Sequence, residues 1–188
     1  MTSNKPNFLL VGAQKAGSTS LYNYLNEHPQ IFMSPKKEPL YFTSEITRTK
    51  RNDKRMKKII SKKGHKFFID NYEDYLNLFK KVTNEIAIGE ASSNYLYHYQ
   101  VSIPKIKEEL GDVKILIILR NPLDKAFSQY KMQKRGGVEP YSFINAIKKE
   151  PERISKNYSI LYHYVAQSLY YEQVKAFFTN FNKVKIIL

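Results

Sequence analysis

The chain is 188 residues long, enough to bury one sizeable hydrophobic core. Its 31 lysines and arginines face 17 acidic residues, a formal net charge of +14 that favours polyanionic ligands or membrane surfaces. It contains no cysteine and therefore no disulfide, and no apolar run long enough to cross a bilayer or to act as a signal peptide.

The first predicted element is a strand at 8–11, where Phe8-Leu9-Leu10-Val11 forms a short apolar run. It leads into Gly12-Ala13-Gln14-Lys15-Ala16-Gly17-Ser18-Thr19, and a helix follows over 18–27 with Leu21, Tyr22 and Leu25 on one face. Strand, glycine turn and helix is how an α/β protein holds a phosphate, because turn N–H groups and the positive helix end point at the anion. Gly12 and Gly17 are spaced as in the P-loop G-x-x-x-x-G-K-[ST], but Ser18 stands where the nucleotide-hydrolase lysine belongs. The lysine sits in the turn, at position 15. There it suits a phosphate that is itself the leaving group, whose growing charge it neutralises. Ser18 and Thr19 would hold the same phosphate; a glycine turn without ligand is the plainer alternative.

Glu27-His28-Pro29-Gln30-Ile31 ends that helix, and Lys36-Lys37-Glu38-Pro39-Leu40-Tyr41-Phe42 comes next. Arg48, Lys50, Arg51, Lys54, Arg55, Lys57, Lys58, Lys62, Lys63 and Lys66 then crowd one segment, opposed there only by Asp53. This is either a mobile basic loop over an acceptor cleft, drawing in an acidic glycan, or a solvated insertion. It ends in only Phe67 and Phe68 for stacking, and no zinc-finger, RNA-recognition or helix-turn-helix signature accompanies it, so nucleic acid is not the expected partner. A helix is predicted at 72–82, a strand at 86–89 and a helix around 101–110.

The run Lys114-Ile115-Leu116-Ile117-Ile118-Leu119 predicts a central parallel strand at 113–119. It ends in Arg120-Asn121-Pro122, with Asn121 as N-cap and Pro122 opening a helix over 122–134. A phosphate-hydrolysing P-loop enzyme would place a magnesium-binding Asp at such a strand end. Arg120 suits a second anion instead, and Ser128 would add a hydroxyl to it; an ion pair between Arg120 and Asp124 is the alternative. Gly136-Gly137 and Pro151 punctuate a polar connection, a long helix is predicted near 159–179, and 181–188 reads as another central strand. The alternation predicts an α/β, three-layer P-loop-like fold, a central parallel sheet with helices on both faces. No His, Cys or Asp cluster has metal-ligand spacing, so no metal is expected.

The Gly12-to-Leu21 turn, the two segments at 27–31 and 36–42, Gly89-Glu90-Ala91-Ser92-Ser93-Asn94-Tyr95 and Leu119 to Tyr130 occur in an order that resembles one family. They are similar to sulfotransferases that use 3′-phosphoadenosine 5′-phosphosulfate (PAPS), more to the heparan-sulfate type of glycan enzyme than to the cytosolic phenol and steroid type. The resemblance implies that Lys15, Ala16, Gly17, Ser18 and Thr19 hold the 5′-phosphosulfate, and that Arg120 and Ser128 hold the 3′-phosphate. Glu38 matches the carboxylate of the family's K-E-x-x-F-F segment, read there as the general base, and Lys37 would touch the sulfate or the acceptor. As a plainer alternative, Glu38 is a surface carboxylate paired with Lys36 or Lys37. The cytosolic branch uses a histidine base, but His28 lies in a helix-ending His-Pro and His65, His98 and His163 match no motif. Glu90 is the acidic position of its segment, structural or acceptor-contacting, and Ala91 stands where the glycan enzymes usually carry a lysine. That departure weakens a heparan-sulfate assignment more than it weakens the chemistry.

The implied function is sulfo transfer to a hydroxyl or amine of an acceptor, a carbohydrate, without a metal. The implied domain covers 5–188 and is cut short at its C-terminus, since full-length relatives continue for many tens of residues. With no Golgi anchor in view, the expected setting is the bacterial cytoplasm. A P-loop kinase and an inactive nucleotide- or polyanion-binding module are the competing readings.

Overall fold

The structure, a computed structural model, describes residues 4–49 and 69–188. The basic segment from Lys50 to Lys66, with His65, lies outside the described residues. The strands are β1 (Phe8–Gly12), β2 (Ile31–Met33), β3 (Ala87–Ala91), β4 (Lys114–Ile118) and β5 (Val184–Ile187). The helices are α1 (Ser18–Asn26), α2 (Ser44–Thr49), α3 (Tyr72–Asn77), α4 (Tyr99–Leu110), α5 (Pro122–Arg135), α6 (Phe143–Lys148), α7 (Glu150–Ser155) and α8 (Tyr171–Asn180). The described residues form two compact units: 4–44, 69–119 and 171–188 in the first, 45–49 and 120–170 in the second.

The first unit is built on a five-stranded sheet in the order β2-β3-β1-β4-β5, with every pairing parallel. A central parallel strand is covered on both faces, which is why the 8–11 run is apolar without alternation. Phe8 and Leu10 pack with Met33 and Ala91 against Leu21, Tyr22 and Leu25 of α1 and against Leu116 and Ile118 of β4. Leu9, Val11, Ile115 and Ile117 point to the opposite face and are also fully buried. Beside the sheet an aromatic cluster fixes the turn at Tyr41–Thr43: the Tyr41 and Tyr75 rings stack at 4.7 Å, and Phe42 meets Tyr75 and Tyr95 edge-on. From β1 the chain runs to β2 and β3 on one side and later to β4 and β5 on the other. That reversal puts a topological switch at the carboxyl end of β1, where open α/β sheets bind ligands.

The second unit packs α5, α6 and the segment 158–164 around Ala126, Ala146, Tyr162 and Tyr164. Here the structure departs from the predicted long helix at 159–179. Two short 3₁₀ turns, Ile160–Tyr162 and Ala166–Ser168, precede α8. Side chains intercept the backbone groups a continuous helix would need. The Glu150 carboxylate accepts the Val165 and Ala166 N–H groups, both at 2.8 Å, while Gln129 donates to the carbonyls of Ile160 and Leu161. Gln167 also donates to Ile160. Similarly, α3 ends at Asn77 in place of 82, and α6 and α7 occupy the stretch read as a polar connection.

Lys125 of α5 is fully buried, its ammonium donating to Gln129 Oε1 at 2.7 Å and to Gln167 Oε1 at 3.4 Å. Burial pulls its pKa down to about 7, against the opposing pull of Glu150. Between about 7 and the usual lysine value near 10.4 the folded chain has released a proton that the unfolded chain retains, so stability rises with pH across that window. Lys125→Met removes this dependence. Its melting temperature relative to the parent protein should be most favourable at about pH 6 and decline towards pH 10. A difference that stays flat in thermal melts across that range would refute the buried, proton-shedding lysine.

Candidate functional site

Three chain segments meet at the carboxyl edge of the sheet around β1. The loop leaving β1 is tied to β4, because the Ala13 N–H donates to the Ile118 carbonyl at 2.6 Å. Within the loop Lys15 takes a left-handed backbone conformation (φ 66°), and Gly17, at φ 107°, forms the N-cap of α1. Among the described residues no side chain caps α1, and the N–H groups of Ser18, Thr19 and Ser20 find no backbone acceptor outside the helix. A helix start with uncapped donors and the positive end of the macrodipole is an anion site in waiting. The half-buried Lys15 has no ion-pair partner among the described residues.

The second segment follows β3. The Ser92 N–H donates to the Leu10 carbonyl and the Leu96 N–H to the Val11 carbonyl, so residues 92–96 lie along the end of β1. Gly12 permits this approach: a Cβ there would lie 2.5 Å from Leu96 Cβ.

Lys37-Glu38 is the third segment, and it is hung on the second. The Glu38 N–H donates to the Ala91 carbonyl at 2.9 Å, and its carboxylate accepts the Ser93 N–H (3.0 Å) on Oε2 and the Ser93 hydroxyl (2.7 Å) on Oε1. Lys37 adds an ion pair to Oε1 at 3.0 Å. The local pair with Lys37 therefore exists, but Glu38 is more than a surface partner for it. Glu38 is one-third exposed, is held at φ 57°, and is gripped by a serine 55 positions away. A carboxylate offers about four lone-pair sites; three are engaged, and the open one is on Oε2.

Beneath it lies Glu90, fully buried at the end of β3. Its Oε2 accepts the Ser92 hydroxyl at 2.9 Å, and Ser92 Oγ in turn accepts the Leu40 N–H at 3.1 Å, so Glu90 braces the loop that carries Glu38. Its other oxygen has no hydrogen-bond partner. Burial pushes its pKa up to about 8; the Tyr95 and Ser92 hydroxyls and Lys37 oppose the shift, and the neighbouring Glu38 charge adds to it.

In the second unit, Asn121 caps α5 by accepting the Leu123 and Asp124 N–H groups (3.0 and 3.3 Å), with Pro122 in the first turn. Arg120 is exposed and forms no ion pair with Asp124. The Tyr170 phenol lies against the Arg120 backbone N–H; burial pushes it up to about 12 while that N–H and the Arg120 charge pull the other way. Ser128 is half-buried on α5.

The model of the sulfotransferase family matches residues 6–176. The chain belongs to the sulfotransferase family. A crystal structure of a sulfotransferase from Alicyclobacillus acidocaldarius is similar to it with a TM-score of 0.86 and 39% identity, covering 98% of this chain and 73% of that one. The membrane-associated sulfotransferase kil1 of Dictyostelium discoideum is 31% identical over 155 residues, 79% of this chain and 29% of that protein. The bifunctional heparan sulfate N-deacetylase/N-sulfotransferase 3 of Homo sapiens is also 31% identical over 155 residues, 80% of this chain and 16% of that protein. The chain thus spans less than a third of the length of these curated relatives.

Within this sulfotransferase fold the described histidines are His28, His98 and His163. His28 accepts the Gln30 N–H on its ring and closes the turn after α1, His98 precedes α4, and His163 is buried in the second unit. Among the described residues no group of His, Cys, Asp or Glu is arranged to hold a metal, and no helix is long and apolar enough to cross a membrane. Sequence reasoning assigned no role to Ser92 and Ser93, although both lie in a segment it singled out, and nothing in spacing pointed to Tyr170.

The Glu90 carboxyl stays protonated in the fold up to about pH 8, whereas the unfolded chain ionises from the usual carboxylate value upward. Stability therefore falls as pH rises through that window. Glu90→Gln has no proton to lose, so its melting temperature should exceed that of the parent protein by a margin that widens from about pH 5 to about pH 8. A margin that narrows would mean Glu90 is ionised in the fold.

Proposed function

We propose that residues 5–188 form one sulfotransferase domain that transfers a sulfo group from PAPS to a hydroxyl or amine of a carbohydrate acceptor, with Glu38 as general base. The observation that carries the reading is the joint placement, on one sheet edge, of an uncapped helix start, a lysine with no ion-pair partner among the described residues, and a tethered carboxylate with an open lone pair. Family membership from residue 6 to 176, through both units, supports the single domain. Relatives named for heparan sulfate and, at 27% identity, as rat carbohydrate sulfotransferase 15 support the acceptor class.

The donor fits the residues present. The cradle from Gly12 to Thr19 offers N–H groups, hydroxyls and one cation, as a phosphosulfate requires. PAPS, when bound, supplies an activated sulfo group whose sulfur–oxygen bond to the 5′-phosphate is the one that breaks. Ala16, Gly17, Ser18 and Thr19 orient that phosphate, and Lys15 offsets the charge that its oxygen acquires. Arg120 and Ser128 hold the 3′-phosphate, and Lys37 steadies the sulfate or the acceptor. Glu38 Oε2 takes the proton of the attacking hydroxyl or amine, and Ser93 keeps that oxygen in place. No metal takes part in the scheme, because lysine and backbone dipoles meet the developing charge.

Calorimetry with adenosine 3′,5′-bisphosphate tests the nucleotide half. It should bind in preference to ATP and 5′-AMP, and Lys15→Ala or Arg120→Ala should each weaken it roughly 10- to 100-fold, the worth of one charge-assisted bond. Glu38→Gln should leave this affinity intact while lowering turnover by about 10²–10⁴-fold. Preference for ATP would favour a kinase, and bisphosphate binding without any turnover an inactive module.

A further inference from the structure

The second unit holds a cavity of about 440 Å³ that the proposed chemistry does not use. This is within the usual size of small-ligand sites. Tyr141, Tyr158 and Tyr162 line it, together with the partly exposed Lys149, Glu152 and Lys156. We propose that this cavity binds an acidic saccharide, a sugar ring bearing one carboxylate or sulfate; its identification with part of the acceptor rests on the sulfotransferase reading above.

The walls are preformed. Arg153, itself buried, lies 4.9 Å from the Tyr162 ring centre and 5.6 Å from that of Tyr141. It is pinned there by two bonds to Glu139, at 2.6 and 2.9 Å. The same glutamate accepts the Tyr164 hydroxyl at 2.6 Å and the Tyr141 N–H at 3.2 Å. Arg153 is thus neutralised by Glu139 and works as a spacer between aromatic rings, so the ligand need not order the pocket as it enters. Tyr158 and Tyr162 are steeply inclined, their planes at 77°, and present faces in two directions.

The charged lining residues carry a definite net charge. Lys149 and Lys156 both bind Glu152, at 2.9 and 2.7 Å, so two ammonium groups share one carboxylate and one positive charge is left over. The hydrogen bonds and charges of the two lysines hold Glu152 down to about 2, and it remains an acceptor at every ordinary pH. A nucleotide, with several phosphate charges, would crowd that carboxylate. An apolar molecule would leave the lysines unused. A polyhydroxylated ring with a single acid satisfies the whole set: its C–H faces lie on tyrosines, its hydroxyls meet Glu152, and its acid meets the lysines.

The test titrates the full chain with a heparosan tetrasaccharide, with maltotetraose as the neutral control and inorganic sulfate as the bare anion, read by amide NMR and calorimetry. The heparosan tetrasaccharide should shift amides between Gly137 and Tyr162 and bind more tightly than either control. Tyr141→Ala, at an exposed ring, should weaken it about three- to tenfold, the worth of one aromatic contact. Lys156→Gln should abolish the preference over maltotetraose. Equal binding of maltotetraose or sulfate, shifts confined to other segments, or unaltered affinity in Tyr141→Ala would each overturn the site. Adenosine 3′,5′-bisphosphate titrated into the same samples separates the two readings: its binding should be unchanged by both substitutions, and its failure to bind would count against sulfo transfer alone.

Discussion

At Gly12 the backbone of β1 and the side chain of Leu96 come so close that a single added carbon would collide at 2.5 Å. That approach lets Ser92 and Leu96 donate to Leu10 and Val11, and the chain leaving β3 is thereby clamped along the end of β1. Ser93 lies inside the clamp and grips Glu38 with both its N–H and its hydroxyl. The placement of Glu38 beside the end of β1 is accordingly set by backbone hydrogen bonds and one glycine. A base hung on a rigid sheet edge loses little freedom when substrate arrives, which is where much of the advantage of a preorganised site comes from.

The same edge concentrates the unit's conformational strain. Lys15, Glu38 and Leu40 all have positive φ, and none is glycine. Each such residue costs of order 1–3 kcal/mol and persists only where its surroundings over-determine it. Here the surroundings are identifiable: the Ala91 carbonyl and Ser92 Oγ fix the Glu38 and Leu40 amides, and Tyr41, Phe42, Tyr75 and Tyr95 pack into an aromatic block directly after them. The block therefore has a task beyond its own burial. It holds the Lys37-Glu38 loop against the sheet in a conformation the loop would not adopt alone.

Much of this was legible in the chain. The 8–11 and 114–119 runs announced central strands because both faces of a parallel sheet are covered, and Asn121-Pro122 announced the start of α5 because cap chemistry is local. The turn between β1 and α1 was legible for the same reason: the spacing of Gly12 and Gly17 is a sequence property, and Gly17 stands at the N-cap of α1. What escaped was decided at long range. The helix expected across 159–179 is broken by Glu150 and Gln129, which lie outside it and reach in for its backbone groups. Ser93 gained its role through a partner 55 residues away. Helical periodicity cannot register a competitor from another segment.

Ala91 and Glu90 belong to a single electrostatic arrangement. Glycan sulfotransferases of the resembling type usually carry a lysine at the position of Ala91. An ammonium there would favour an ionised Glu90. With alanine, burial prevails and Glu90 stays neutral near pH 7, while Glu38 above it keeps the hydrogen bonds of Ser93 and the ion pair with Lys37. Two ionised carboxylates linked through the Ser92-Leu40 brace would repel one another, and one of them would be driven to take a proton. Burial leaves Glu90 uncharged, and its carboxyl braces the loop through Ser92 Oγ and the Leu40 N–H. Without a lysine at position 91, Lys37 is the cation that the structure pairs with Glu38, through a 3.0 Å contact to its Oε1.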